Sequence, residues 1–144
     1  MARHTNQIVY GFDSFGGLPE DWTYFQKKGR FSLGGTPPEI KLPNIKLIKG
    51  LFEDTLPNFF FIYLDPVSFV HIDSDLYSSA KFVLKNIASK STKGTIVLFD
   101  DFLNYPGWKQ GESKAFFEWT KEFQIEFEYI GFASQHHSIA VRIL

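Results

Sequence analysis

The sequence predicts an α/β domain on an open, mostly parallel sheet with an antiparallel C-terminal end. Three observations carry this. Short apolar runs alternate with amphipathic helical stretches, the pattern of parallel sheets covered by helices. Two of the runs, Val67 to Ile72 and Thr95 to Phe99, read as strands buried on both faces. The last two runs lie close enough to pair as a hairpin.

Taken in order, Ile8 to Phe12 is the first strand and ends at Asp13. The segment Gly16 to Pro43 holds Gly16-Gly17, Gly34-Gly35 and Pro37-Pro38, so it reads as loop, with one helical turn over Asp21 to Lys27. Ile45 to Ile48 is a second strand, stopped by Lys49-Gly50. After the Val67 to Ile72 strand, Ser78 to Ser89 places Phe82, Val83, Ile87 and Ala88 at helical spacing. Gly94 introduces the Thr95 to Phe99 strand. Glu112 to Phe123 is a second amphipathic helix, with Ala115, Phe116, Trp119 and Phe123 on one stripe. Glu126 to Ile130 and Ser138 to Ile143 close the chain as an antiparallel hairpin across the 131–137 loop.

Bulk properties narrow the function. A chain of 144 residues suits a single domain, 1–144, and 44% hydrophobic with 22% charged residues is a globular balance. A net charge of −1 without a basic run argues against a nucleic-acid or anionic membrane surface. The absence of Cys excludes disulfides and thiolate zinc sites and makes a reducing cytoplasm the expected location. No apolar stretch is long enough to span a bilayer, and MARHTNQ lacks a signal-like segment. The 17 Phe residues point to an aromatic core, and the Phe59 to Phe61 run to core or to a contact surface between subunits of a homo-oligomer.

In sheets of this kind ligands bind outside the carboxyl ends of the strands. Acidic residues stand at those ends: Asp13, then Asp73 and Asp75, then Asp100 and Asp101. A single Asp there is more often a helix cap or a solvated strand end. Two acidic pairs after two buried strands instead suggest a hard cation such as Mg²⁺, because buried carboxylates otherwise take up protons. Asp13, before Ser14 and a Gly-rich loop, suits the paired hydroxyls of a ribose, although Asp-Ser is also ordinary turn chemistry. His71, inside an apolar strand, reads as a core histidine, and His136-His137 as an exposed loop pair.

Four segments line up in order: VYGFDSFGGLPEDW (9–22), GLFEDTLP (50–57), HIDSDLYSS (71–79) and FDDFLNYPGW (99–108). Together they resemble the macrocin O-methyltransferase type of S-adenosylmethionine-dependent enzyme, which modifies sugar hydroxyls of natural products. The resemblance runs over nearly the whole chain from Val9 and implies a Rossmann-like class I methyltransferase fold. It implies metal ligands at Asp73, Asp100 and Asp101, for Mg²⁺ or Mn²⁺. It implies that Asp13 and Ser14 lie at the cofactor ribose, and that Phe52 and Glu53, in the loop after the second strand, lie by the adenine. Catechol methyltransferases share this metal layout but carry Lys three residues after the first metal Asp, where this chain has Leu76. A carboxylate, Asp73 ahead of Asp75, is therefore expected to take the proton of a small-molecule hydroxyl substrate.

The sequence departs from the class in one respect. The opening strand and Gly-rich turn (E/D-x-G-x-G-x-G), which hold the methionine end of the cofactor, have no counterpart. The resemblance places that strand between those at 8–12 and 67–72, so the chain reads as N-terminally truncated, the alternative being loss of the cofactor site. Two other functions fit parts of the sequence. Asp73-Ser74-Asp75 is formally the D-x-D metal motif of nucleotide-sugar glycosyltransferases, and the missing turn allows a non-catalytic remnant that acts as an interaction module.

Overall fold

The computed structural model describes residues 2–144, which form two compact units, one ending at Phe59 and the other running from Phe60 to Leu144.

The first unit is built on two parallel strands, β1 (Val9–Asp13) and β2 (Ile45–Lys49), paired from Val9↔Ile45 to Asp13↔Lys49. The helix α1 (Phe52–Ile62) follows β2 and carries the chain out of this unit. Sequence reading does not find it, because Pro57 and the Phe59 to Phe61 run disguise its period. Phe59 packs edge-on against Tyr10 (4.8 Å) and Phe12 (5.0 Å) of β1, whereas Phe61 is 85% exposed. Phe59 and Phe60 are half-buried, while Phe61 faces solvent.

The segment between β1 and β2 is loop throughout, and the helical turn expected over Asp21 to Lys27 does not form. The Trp22 N–H donates forward to Gln26 O, opposite in sense to a helical bond, and Asp21 accepts from Lys28 N and Lys27 Nζ (both 2.9 Å). Gly17 fastens the loop. Its φ is +82°, and a Cβ there would lie 2.4 Å from Arg30 O, so only glycine fits beside the Leu18–Arg30 hydrogen bond.

The second unit holds β3 (Val67–Ile72), α2 (Tyr77–Ile87), β4 (Ser91–Phe99), α3 (Glu112–Glu122), β5 (Phe127–Phe132) and β6 (Ile139–Ile143). The sheet order is β3-β4-β6-β5. The β3–β4 pair is parallel, while β6 runs antiparallel to both β4 and β5. The C-terminal hairpin is thus present as expected, with β6 inserted beside β4.

Two expectations need correcting. Among the described residues β3 pairs only with β4, so it is an end strand; Phe69 is 37% exposed and Ser68 and His71 are exposed too. Val67 to Ile72 is not buried on both faces. β4 also begins earlier than Thr95, because its polar start bulges. The pairing jumps from Val67↔Ser91 to Phe69↔Ile96, and Thr95 Oγ1 bridges the gap by donating to Val67 O and accepting from Thr92 N.

The core of this unit is aromatic and aliphatic: Leu84 and Ile87 from α2, Val97 and Phe99 from β4, Phe116 and Trp119 from α3, and Val141 from β6. Phe116 sits at its centre, with ring contacts to Phe99 (5.2 Å), Phe102 (5.7 Å) and Phe127 (4.7 Å). That packing fixes the end of β4 against α3. No helix among the described residues is long and apolar enough to cross a membrane.

Candidate functional site

Parallel pairing with Ile72 opposite Phe99 sets the carboxyl ends of β3 and β4 side by side, and the Asp100 N–H extends the ladder by donating to Ile72 O (2.9 Å). The next residues are Asp73 on one strand and Asp100-Asp101 on the other. One carboxylate oxygen from each of Asp73, Asp100 and Asp101 lies within 4.8 Å of the others. Asp73 is exposed, Asp100 half-buried and Asp101 buried, so the cluster opens to solvent on one side.

Asp75 adds a fourth carboxyl. It stands in the middle of a three-residue turn closed by Leu76 N–H donating to Ser74 O, and its φ of +60° lies in the left-handed region that Asp tolerates better than most residues. Its side chain is hydrogen-bonded to that of Asp101. Burial first, then the negative charge and hydrogen bond of Asp101 and the charges of Asp73 and Asp100, push Asp75 up to about 7. Asp101 is pushed upward as well, chiefly by burial, although its bond to Asp75 and the neighbouring His137 oppose the shift.

Two structures brace these loops. From below, Glu112 at the first position of α3 accepts hydrogen bonds from Ser74 N and Oγ and from Asp101 N. It is wholly buried, which pushes it up to about 8 despite the three donors. From the side, the 136–138 segment clasps the loop after β4. His137 O accepts from Phe102 N (2.9 Å) and Leu103 N (3.1 Å), and His137 Nδ1 lies 2.9 Å from Leu103 O. Ser138 Oγ donates to Asp100 Oδ1 (3.1 Å).

His136 is exposed as expected, but His137 is half-buried and bonded rather than solvated, because the hairpin loop folds onto the acidic loop, and the reading of His71 needs correcting too. His71 is exposed, with Nε2 3.8 Å from Asp100 Oδ1, because its strand lies at the end of the sheet.

In the first unit, Asp13 ends β1 as an exposed carboxylate, and its Oδ1 accepts the Phe15 N–H (2.7 Å). Ser14 Oγ accepts from Gly16 N (3.1 Å), so both residues shape the turn. Gly50 N donates to Asp13 O, tying this strand end to the entry of α1. Phe52 and Glu53 are the first two residues of that helix rather than loop residues.

Against this geometry stand the relatives. Residues 39–128 match the family model of macrocin-O-methyltransferase (TylF), more than half of the chain. The chain belongs to the macrocin-O-methyltransferase family. The match includes the Asp73-Ser74-Asp75 triplet, Asp100-Asp101 and Glu112, which removes the ground for a glycosyltransferase reading of the triplet. The demethyldecarbamoylnovobiocin O-methyltransferase of Streptomyces niveus is 31% identical over 86 residues, 60% of this chain and 30% of that enzyme. The fold is that of class I methyltransferases. CalS11, a calicheamicin methyltransferase, superposes with a TM-score of 0.71 at 22% identity over 94% of this chain. The O-methyltransferase NovP gives 0.67 at 22% identity over 96%. This chain spans 60% of each of those two structures.

Glu112 is the residue that reading the sequence misses in this family member. An acid in the first turn of an amphipathic helix is ordinary helix chemistry, and only the fold reveals that it is buried beneath two loops.

Proposed function

We propose that this chain belongs to an enzyme that transfers a methyl group from S-adenosylmethionine to a hydroxyl of a sugar or related small natural product, with Mg²⁺ or Mn²⁺. The observation that carries this reading is the cluster of Asp73, Asp100 and Asp101 oxygens at adjoining strand ends. Three carboxylate oxygens, one side open to solvent, form a donor set that suits a hard cation and leaves room for water and substrate oxygens. When bound, the cation supplies charge that orients the hydroxyl and lowers its pKa. The cofactor brings a methyl already activated on sulfonium sulfur.

The chain's own residues then have distinct tasks. Asp73, Asp100 and Asp101 hold the cation. Asp75, hydrogen-bonded to Asp101 and titrating near neutrality, is better matched than Asp73 to accept the hydroxyl proton. This reverses the order expected from the sequence, because Asp73 belongs to the ligand set. Asp13 takes the ribose hydroxyls, helped by Ser14, while Phe52 and Glu53 attend the adenine. The relatives act on calicheamicin and novobiocin precursors by name, which supports a glycosylated or sugar-nucleotide acceptor.

The test is S-adenosylhomocysteine release by the full gene product given S-adenosylmethionine, Mg²⁺ and a panel of nucleotide sugars and glycosides. Methyl transfer that stops with EDTA and with Asp101→Asn is expected. Transfer indifferent to both would overturn the metal assignment.

A further inference from the structure

We propose that Glu112 is a positioning residue that sets the metal-binding geometry by holding the β3 and β4 loops from beneath; this rests on the metal reading above. Its two oxygens are divided between the loops. Oε1 accepts from Ser74 N (3.0 Å) and Ser74 Oγ (3.1 Å), and Oε2 accepts from Asp101 N (3.2 Å). Ser74 lies between Asp73 and Asp75, so one side chain fixes the backbone next to a proposed ligand on one strand and at a proposed ligand on the other.

A carboxyl is an expensive choice for this position. Glu112 is 0% exposed and lies close to Asp101, where burial and like charge both disfavour it. An apolar side chain would fill the space without that cost, but it would leave three donors unpaired in the interior. In its ionised form Glu112 meets all three donors, whereas Gln offers one acceptor oxygen and would turn its NH₂ toward an N–H donor. Glu112 stands in the first turn of α3, at the positive end of the helix dipole. Gly111 allows the close approach of Tyr105, whose Oη would meet a Cβ at 2.4 Å. The arrangement resembles outer partners of metal ligands, whose loss weakens metal binding without removing a ligand.

Mn²⁺ titration followed by electron paramagnetic resonance tests this on four variants whose folding is checked by near-UV circular dichroism. Glu112→Gln is expected to bind about 10- to 100-fold more weakly than the parent. Ser74→Ala, which removes one of the three donors, is expected to lose roughly threefold, and Ser74→Thr to restore it. Trp119→Phe, on the same helix, is expected to lower stability and leave Mn²⁺ affinity unchanged. A folded Glu112→Gln within twofold of the parent would overturn the proposal, as would an equal loss in Trp119→Phe. Should Glu112→Gln fail to fold, the two Ser74 variants decide, and equal affinity in both would refute it. A parent that binds no Mn²⁺ sinks the metal reading and this inference together; the variant outcomes sink this inference alone.

Discussion

The carboxyl groups of Asp75 and Asp101 are hydrogen-bonded to each other. Burial and the charges of Asp101, Asp73 and Asp100 raise the Asp75 carboxyl to about 7, so near neutrality it is divided between protonated and ionised forms beside the proposed ligands.

Metal affinity is accordingly expected to rise with pH. Below about 7 Asp75 keeps its proton; above it, ionisation adds a negative charge beside the cluster. Affinity for Mg²⁺ should increase between pH 6 and 8, by at most about tenfold per pH unit for a single proton. Calorimetric titration in buffers of different ionisation enthalpy should show proton release on binding. Affinity that is flat across this range would contradict the raised Asp75 carboxyl.

Without metal, Asp75 should lower stability at high pH. Its folded pKa lies near 7 against 3.8 in the unfolded chain, so the unfolded state gives up its proton first and stability falls as pH rises between those values. Asp75→Asn keeps a residue that tolerates positive φ and removes the charge. At pH 8 in EDTA it should exceed the parent by on the order of 1–3 kcal/mol, with the gap closing toward pH 4. Methyl transfer by the full gene product should fall in the same variant. A less stable Asp75→Asn at pH 8 would count against the strained, crowded carboxyl described here.

Asp13→Asn separates cofactor binding from turn formation. Its side-chain oxygen still accepts the Phe15 N–H, so the turn should survive. S-adenosylhomocysteine binding by the full gene product should weaken by about 1.5–3 kcal/mol, the range for hydrogen bonds to a charged group. Mn²⁺ affinity should not move. Equal loss of both would assign Asp13 a purely structural role.

Phe116→Ala tests the packing that holds the end of β4. A fully buried ring in contact with Phe99, Phe102 and Phe127 should cost about 3–5 kcal/mol in urea unfolding. A cost below about 1 kcal/mol would mean that the aromatic cluster does not organise this unit.

Most of the second unit was legible in the sequence. The apolar runs gave β3, β4 and the hairpin, and the acids that follow two apolar strands pointed to Asp73, Asp100 and Asp101, whose oxygens cluster. Three things were hidden, each for a physical reason. α1 was masked because Pro57 and adjoining Phe residues blur helical periodicity. The exposure of His71 and Phe69 follows from the place of β3 at the end of its sheet, which no local pattern reports. Glu112 and His137 act through long-range hydrogen bonds, across 38 residues to Ser74 and 34 to Leu103, and residue type alone does not announce such partners.

Mn²⁺ titration of this chain beside Asp73→Asn, Asp100→Asn and Asp101→Asn, at pH 8 and read by electron paramagnetic resonance, tests the central claim most directly. The expected result is one Mn²⁺ per chain in the parent, and affinity reduced at least about tenfold in each variant. A parent without a stoichiometric site, or variants that bind as tightly as the parent, would contradict a metal centre at these strand ends.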